Sequence, residues 1–156
     1  MSIEKILLEM GLSLPIPSKP GGNYVSANIR KDIAYIAIQL PKDGENWIYK
    51  GRLGIELTTE DGYKAFQLCA LNVLAHIEKS IGLDKLIGLN HMDAYFQAGK
   101  EWDESPKIVD GASDLFVKVL GEKGLHSRAI FGVEKLPRNF SVGISCTLTI
   151  DNSGIK

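Results

Sequence analysis

Cysteine and arginine are scarce in this chain, and a long apolar run is missing altogether. The only cysteines, Cys69 and Cys146, lack CxxC spacing, so a disulfide framework and a thiolate zinc site are both unsupported. Each reads as a small buried hydrophobe. His76, His91 and His126 stand far apart without i,i+4 spacing, and neither a metal nor a cofactor is expected. Net charge is −1, the lysines are dispersed, and aromatics make up 8% of the residues. Without a basic stripe or a stacking platform, nucleic acid is not an expected partner. No segment is apolar enough to span a membrane, so no membrane partner is expected either. Met1 to Leu12 carries Glu4 and Glu9 and reads as a short amphipathic helix rather than a signal peptide, which makes a cytoplasmic location the expectation.

What remains is the composition of one ordinary globular domain: 156 residues, 44% hydrophobic and 24% charged. The domain is taken as 1–156, with an N-terminal helix about 2–11 and a core about 22–151. Ser2 caps the first helix. Residues 14–22, rich in Pro and Gly, form a loop. Asn23 to Ile29 and Asp32 to Leu40 read as a hairpin around the polar pair Arg30-Lys31. Trp47 to Leu53 reads as a short edge strand.

Thr58 or Thr59 opens the strongest element. Tyr63, Phe66, Ala70, Val73, Leu74, Ile77 and Ile81 recur at three- and four-residue steps, with Glu60 and Asp61 in the first turn and Gly82 as the stop. Leu86 to Phe96 is strand-like. Ser105-Pro106 supplies an N-cap and first helical position, followed by the stripe Val109, Ala112, Phe116, Val119. Ser127 to Val133 and Phe140 to Ile150 are the last strands. Two long one-sided helices and about six strands imply an α+β two-layer sandwich on a mixed sheet. Residues 33–38 and 141–150 are apolar on both faces, so one face suits the helices and the other a neighbouring copy.

One residue does not fit a plain core. In His126-Ser127-Arg128-Ala129-Ile130-Phe131-Gly132-Val133 a guanidinium lies within an apolar strand, where it needs an anionic partner. The other arginines, Arg30, Arg52 and Arg138, adjoin Lys, Gly or Pro, where solvent suffices. Arg128 asks for a carboxylate or phosphate; otherwise it is an edge-strand arginine lying over its neighbours or paired with a structural Asp or Glu. Asp110 and Asp114, four apart on the second long helix, read as solvent-facing or as a cap of the Arg52 loop.

Several strings, in order, carry a family resemblance: Gly11-Leu12-Ser13-Leu14-Pro15, Gly22-Asn23-Tyr24-Val25, residues 51–63, residues 70–75, Asp110-Gly111-Ala112-Ser113-Asp114-Leu115, His126-Ser127-Arg128, Gly132-Val133 and Leu136-Pro137. The chain resembles the Rid family (YjgF, endoribonuclease L-PSP-like), in its longer branch of roughly 150 residues. The resemblance implies a chorismate-mutase-like homotrimer with clefts between subunits. Active members hydrolyse imines or enamines of 2-oxo acids to the 2-oxo acid and ammonia, so a small carboxylate-bearing metabolite is the implied partner. Residue by residue, Arg128 matches the carboxylate clamp, Ile130 the position whose backbone faces substrate, and Tyr24 the cleft tyrosine. The family's Ser-Gly-Gln reads Ala37-Ile38-Gln39 here, which puts Ile38 and Gln39 at the ligand. The glutamate of the last strand falls at Gly143, with Ser145 two residues on able to hold a water. His126, on the same strand face as Arg128, either borders that cleft or stands exposed to water at the strand end. The alternatives left open are a deaminase with a reduced site, a non-catalytic carboxylate binder or regulatory protein, and, against the charge evidence, an endoribonuclease.

Overall fold

The computed structural model describes residues 1–154; residues 155 and 156 of the expected single domain lie outside that description. In chain order the elements are α1 (Ile3–Glu9), β1 (Ala27–Arg30), β2 (Ile33–Gln39), β3 (Lys42–Asp43), β4 (Asn46–Trp47), α2 (Thr59–Ser80), β5 (Leu86–Phe96), α3 (Ser105–Leu120), β6 (Ser127–Gly132) and β7 (Val142–Ile150). Three helices pack on a five-stranded sheet of order β1-β2-β7-β5-β6. All its pairings are antiparallel except β5 with β6, which α3 connects as a parallel crossover.

Local chemistry accounts for the long elements. Thr58 accepts from the Asp61 amide at 3.0 Å, and the Asp61 carboxylate accepts from the Thr58 amide at 2.9 Å, a reciprocal capping box that starts α2. Its apolar stripe, Phe66, Ala70, Val73, Leu74 and Ile77, is wholly buried. On α3, Val109, Ala112, Phe116 and Val119 do the same. Each large side chain so buried contributes roughly 1.5–3 kcal/mol. The two helices touch closely at Gly111, where a Cβ would stand 2.0 Å from the Tyr63 carbonyl oxygen. Below them Ala34, Ile36, Met92, Ala94, Ile144, Cys146 and Leu148 complete the core. Cys69 and Cys146 are both buried free thiols. Burial pushes the Cys146 thiol up to about 12.

Several strand boundaries differ from the sequence expectation, the last strand starting at Val142 rather than Phe140. Residues 47–53 do not form a strand of the main sheet: Tyr49 adopts φ 55° and Gly51 φ 119°, which breaks an extended run. Only Asn46–Trp47 is paired, with Lys42–Asp43, as a separate two-stranded ribbon, so the sheet has five strands rather than six. The first hairpin turns one residue later than expected, through Lys31-Asp32 with Lys31 at φ 56°. Residues 23–26 precede β1 as a bend, in which the Tyr24 hydroxyl accepts from the Gly21 amide. At α3 the cap position is Glu104, not Ser105, and its carboxylate accepts from the Thr59 hydroxyl and the Lys107 ammonium rather than from a backbone amide of the helix. Those two donors hold its pKa below the usual carboxylate range, the Thr59 bond foremost.

The face of the sheet away from the helices carries Tyr35, Ile38 and Phe131 exposed, with Tyr95 stacked on Phe131 at 5.4 Å between ring centres. No helix among the described residues is long and apolar enough to cross a membrane.

Candidate functional site

Registry determines where each expected site residue goes. Arg128 pairs with Met92, and Met92 with Cys146, both buried against the helices, so Arg128 lies on the helix side of edge strand β6. From there its Nη1 donates to Asp110 Oδ1 at 2.7 Å and to Ser113 Oγ at 3.1 Å, both on α3. The expected anionic partner therefore exists within the chain, and Asp110 faces the arginine rather than the Arg52 loop. No other described residue takes a hydrogen bond from Nε or Nη2, and the side chain is 26% exposed.

His126 continues this network. Its Nδ1–H donates to the Gly124 carbonyl at 2.6 Å, which leaves Nε2 to accept from the Ser113 hydroxyl at 2.9 Å. The ring stands edge-on to Phe116. One turn along α3, Asp114 accepts from the Tyr63 hydroxyl at 2.7 Å. That bond, with burial behind it, raises the phenol to about 12. Ile130 follows Arg128 on the same face and packs on the core edge.

Tyr24, Ile38 and Gln39 lie at the opposite end of the sheet order, on and before β2, where they line a hollow of about 330 Å³ with Trp47, Asn72 and Phe140. Gln39 turns inward and is 6% exposed; its amide donates to the Ala37 carbonyl. Ile38 turns outward because β2 bulges between Ile36 and Gln39, where it takes one more residue than β7 does. That bulge carries Ile38 over Gly143. A Cβ on Gly143 would stand 2.9 Å from Ile38 Cδ1 and 3.1 Å from Leu40 Cδ2. A glutamate there would have to displace the tips of these two side chains. Ser145 pairs with Asp93 on the open face of the sheet, two residues further along β7.

Within one chain the expected residues thus form two separate groups. The Arg128 group is at the β6 edge, and the Tyr24–Ile38 hollow is beyond β7 on the other side. Sequence reading did not find Asp110, Ser113 or Asn72 as their supports. Asn72 was visible as a lone amide in an apolar helical run; it donates to the Leu40 and Lys42 carbonyls at 3.2 and 2.8 Å and fastens the hollow's rim.

The same architecture occurs in known proteins. The family model described as "YjgF/chorismate mutase-like, putative endoribonuclease" matches residues 4–147. The chain belongs to the YjgF (Rid) family. The Trypanosoma cruzi Protein TCP17 is 30% identical over 148 residues, which cover 94% of this chain and 92% of that protein. Among solved structures, Atu1372 from Agrobacterium tumefaciens superposes with a TM-score of 0.89 at 32% identity, covering 96% of this chain and 92% of the other. RidA from an Antarctic Psychrobacter shares the fold at a TM-score of 0.57 and 22% identity, covering 88% and 96%. This YjgF-family chain is therefore much nearer in shape to Atu1372 than to that RidA.

Proposed function

We propose that this chain is a non-catalytic YjgF-family binder of small carboxylate-bearing molecules, rather than an imine or enamine deaminase. The observation that carries the reading is the side chain of Ile38 lying over Gly143. Imine hydrolysis at useful rates wants a positioned acid or base, and the loss of such a group costs about 10²- to 10⁴-fold. Here that group is missing, and the tip of Ile38 stands where its side chain would start. Ser145 could hold a water, but a hydroxyl is a poor proton acceptor.

The binding half of the chemistry is better supported. Asp110 and Ser113 take Nη1 of Arg128 and fix the plane of the guanidinium. Nε and Nη2 then form a free edge that suits a carboxylate in two parallel charge-assisted bonds. Arg128 and the Tyr24 hollow lie at different ends of one sheet. A ligand touching both needs a second copy, which agrees with the trimer that the family resemblance implies. The open face of the sheet carries Tyr35, Ile38 and Phe131 exposed among polar residues such as His91, Asp93 and Thr147. The binder is expected to work in the cytoplasm without a cofactor.

Calorimetry with 2-oxobutanoate is expected to show binding that Arg128→Ala removes. No heat at millimolar ligand would refute carboxylate binding. Ammonia release from freshly generated 2-iminopropanoate should match the protein-free rate; acceleration that Arg128→Ala abolishes would refute the non-catalytic reading.

A further inference from the structure

We infer that a second anion site, for a compact phosphate-bearing molecule, lies beyond the C-terminal ends of the parallel strands β5 and β6. There Lys50, Arg52, Lys135 and Arg138 line one hollow of about 460 Å³, with Gln97 and Asn139 in its wall and no carboxylate in the lining. This site is separate from the Arg128 group and does not rest on its ligand, although Arg138 also borders the Tyr24 hollow while Lys50, Arg52 and Lys135 do not.

The cations come from two segments that Gln97 stitches together. Gln97 is 1% exposed, and every polar group it has is used. Its backbone N–H donates to Ser141 O at 3.0 Å, and its carbonyl accepts from the Leu53 amide at 3.1 Å. Its side-chain amide donates to Gly51 O and Asn139 Oδ1, each at 2.9 Å, and its Oε1 accepts from the Leu136 amide at 2.8 Å. The Gly51 amide adds a bond to Asn139 O at 2.8 Å. The segment bearing Lys50 and Arg52 is thereby fixed against the segment bearing Lys135 and Arg138.

The fixation includes strained backbone. Arg138 and Asn139 are consecutive residues at φ 55° and 62°, a conformation that non-glycine residues adopt at a cost and that clusters at functional sites. The result is to lay the Arg138 guanidinium over the Trp47 ring, 4.4 Å from its centre, with Lys50 Nζ at 5.6 Å from the same ring. Arg52 donates to the Ala98 and Glu134 carbonyls, which are neutral groups and leave its charge unspent. The carboxylate of Glu134 stands 4.0 Å away and is 99% exposed, so water screens it.

Four cations around one hollow exceed what a single carboxylate needs, whereas two forks and two point charges suit phosphoryl oxygens. The ligand is a small one. Past Trp47 the neighbouring wall carries Asp43 and Glu45, which repel a polyanion that continues beyond the hollow.

Inorganic tripolyphosphate is the probe, titrated calorimetrically at low and physiological salt. Binding is expected at one equivalent per chain, weaker as salt rises, and reduced roughly tenfold or more by Lys135→Ala/Arg138→Ala. The control Lys5→Ala/Lys118→Ala, on exposed helix faces elsewhere, should leave affinity within about twofold, as distant charges are screened. Should the first double variant lose its native circular dichroism, Lys50→Gln replaces it with the same expectation. No heat at millimolar tripolyphosphate in low salt overturns the inference. So does an equal loss in the control, or a single-stranded oligonucleotide that binds more tightly than tripolyphosphate.

Discussion

At the β6 edge one guanidinium is met by Asp110 and Ser113 of its own chain, while beyond the ends of β5 and β6 four cations line a hollow with no carboxylate among them. The first arrangement spends most of its charge on orienting a side chain. The second spends hydrogen bonds from a neutral amide, Gln97, on holding charges together that repel one another. A cation's surroundings thus indicate its use: a matched arginine is a positioned donor, and unmatched neighbours are a demand for an anion.

The sharpest way to break this contrast is Gln97→Leu. It strands Gly51 O and the Leu136 amide, each a buried group costing about 1–3 kcal/mol when left unpaired. Urea denaturation should show a loss of that order or more, with tripolyphosphate binding lost and 2-oxobutanoate binding retained. Next in size is Gly143→Glu. Its side chain meets Ile38 and Leu40, and overpacking alone costs about 1–3 kcal/mol. The double variant Ile38→Gly/Gly143→Glu should recover part of that loss, seen as a higher denaturation midpoint than the single variant. A double-mutant cycle on Asp110→Ala and Arg128→Ala probes the matched pair itself. Both side chains are partly solvated, so a coupling of only about 0.5–1 kcal/mol is expected. The smallest effect is a pH dependence from His76, buried on α2 with its Nε2 unpartnered. Burial, with Lys79 adding to it, lowers its pKa below the ordinary 6.5. The unfolded chain therefore takes up the proton first, and stability falls as pH drops through 6.5 and below. His76→Gln should flatten that slope in denaturation measured across pH.

Long periodic elements were legible in the sequence. Strand β5 occupies Leu86 to Phe96 as its alternation indicates, and α2 starts at its capping box and ends just before Gly82. The family resemblance, with its fold, was carried by short strings spread over the chain, and the demand of Arg128 for an anion was readable from its neighbours. Trp47 to Leu53 was misread because its β-rich composition hides the left-handed backbone at Tyr49. Asp110 gave no signal to link it with Arg128, since a helix spacing tells which carboxylates share a face but not which strand lies under it. Arg52 and Arg138 read as ordinary solvated loop residues for the same reason. Their loops meet only through Gln97, and a charge cluster assembled from distant segments leaves no stripe in the sequence.

The bulge that seats Ile38 on Gly143 also limits how this branch of the family could have changed. A carboxylate arriving first would have to push the isoleucine aside, and an isoleucine shrinking first would bare the glycine to solvent with nothing gained. Each lone step gives up a contact that the second one replaces, so the two positions are expected to change together. Relatives are thus expected to carry the bulky-and-glycine pair or the small-and-acidic pair, and seldom a mixture.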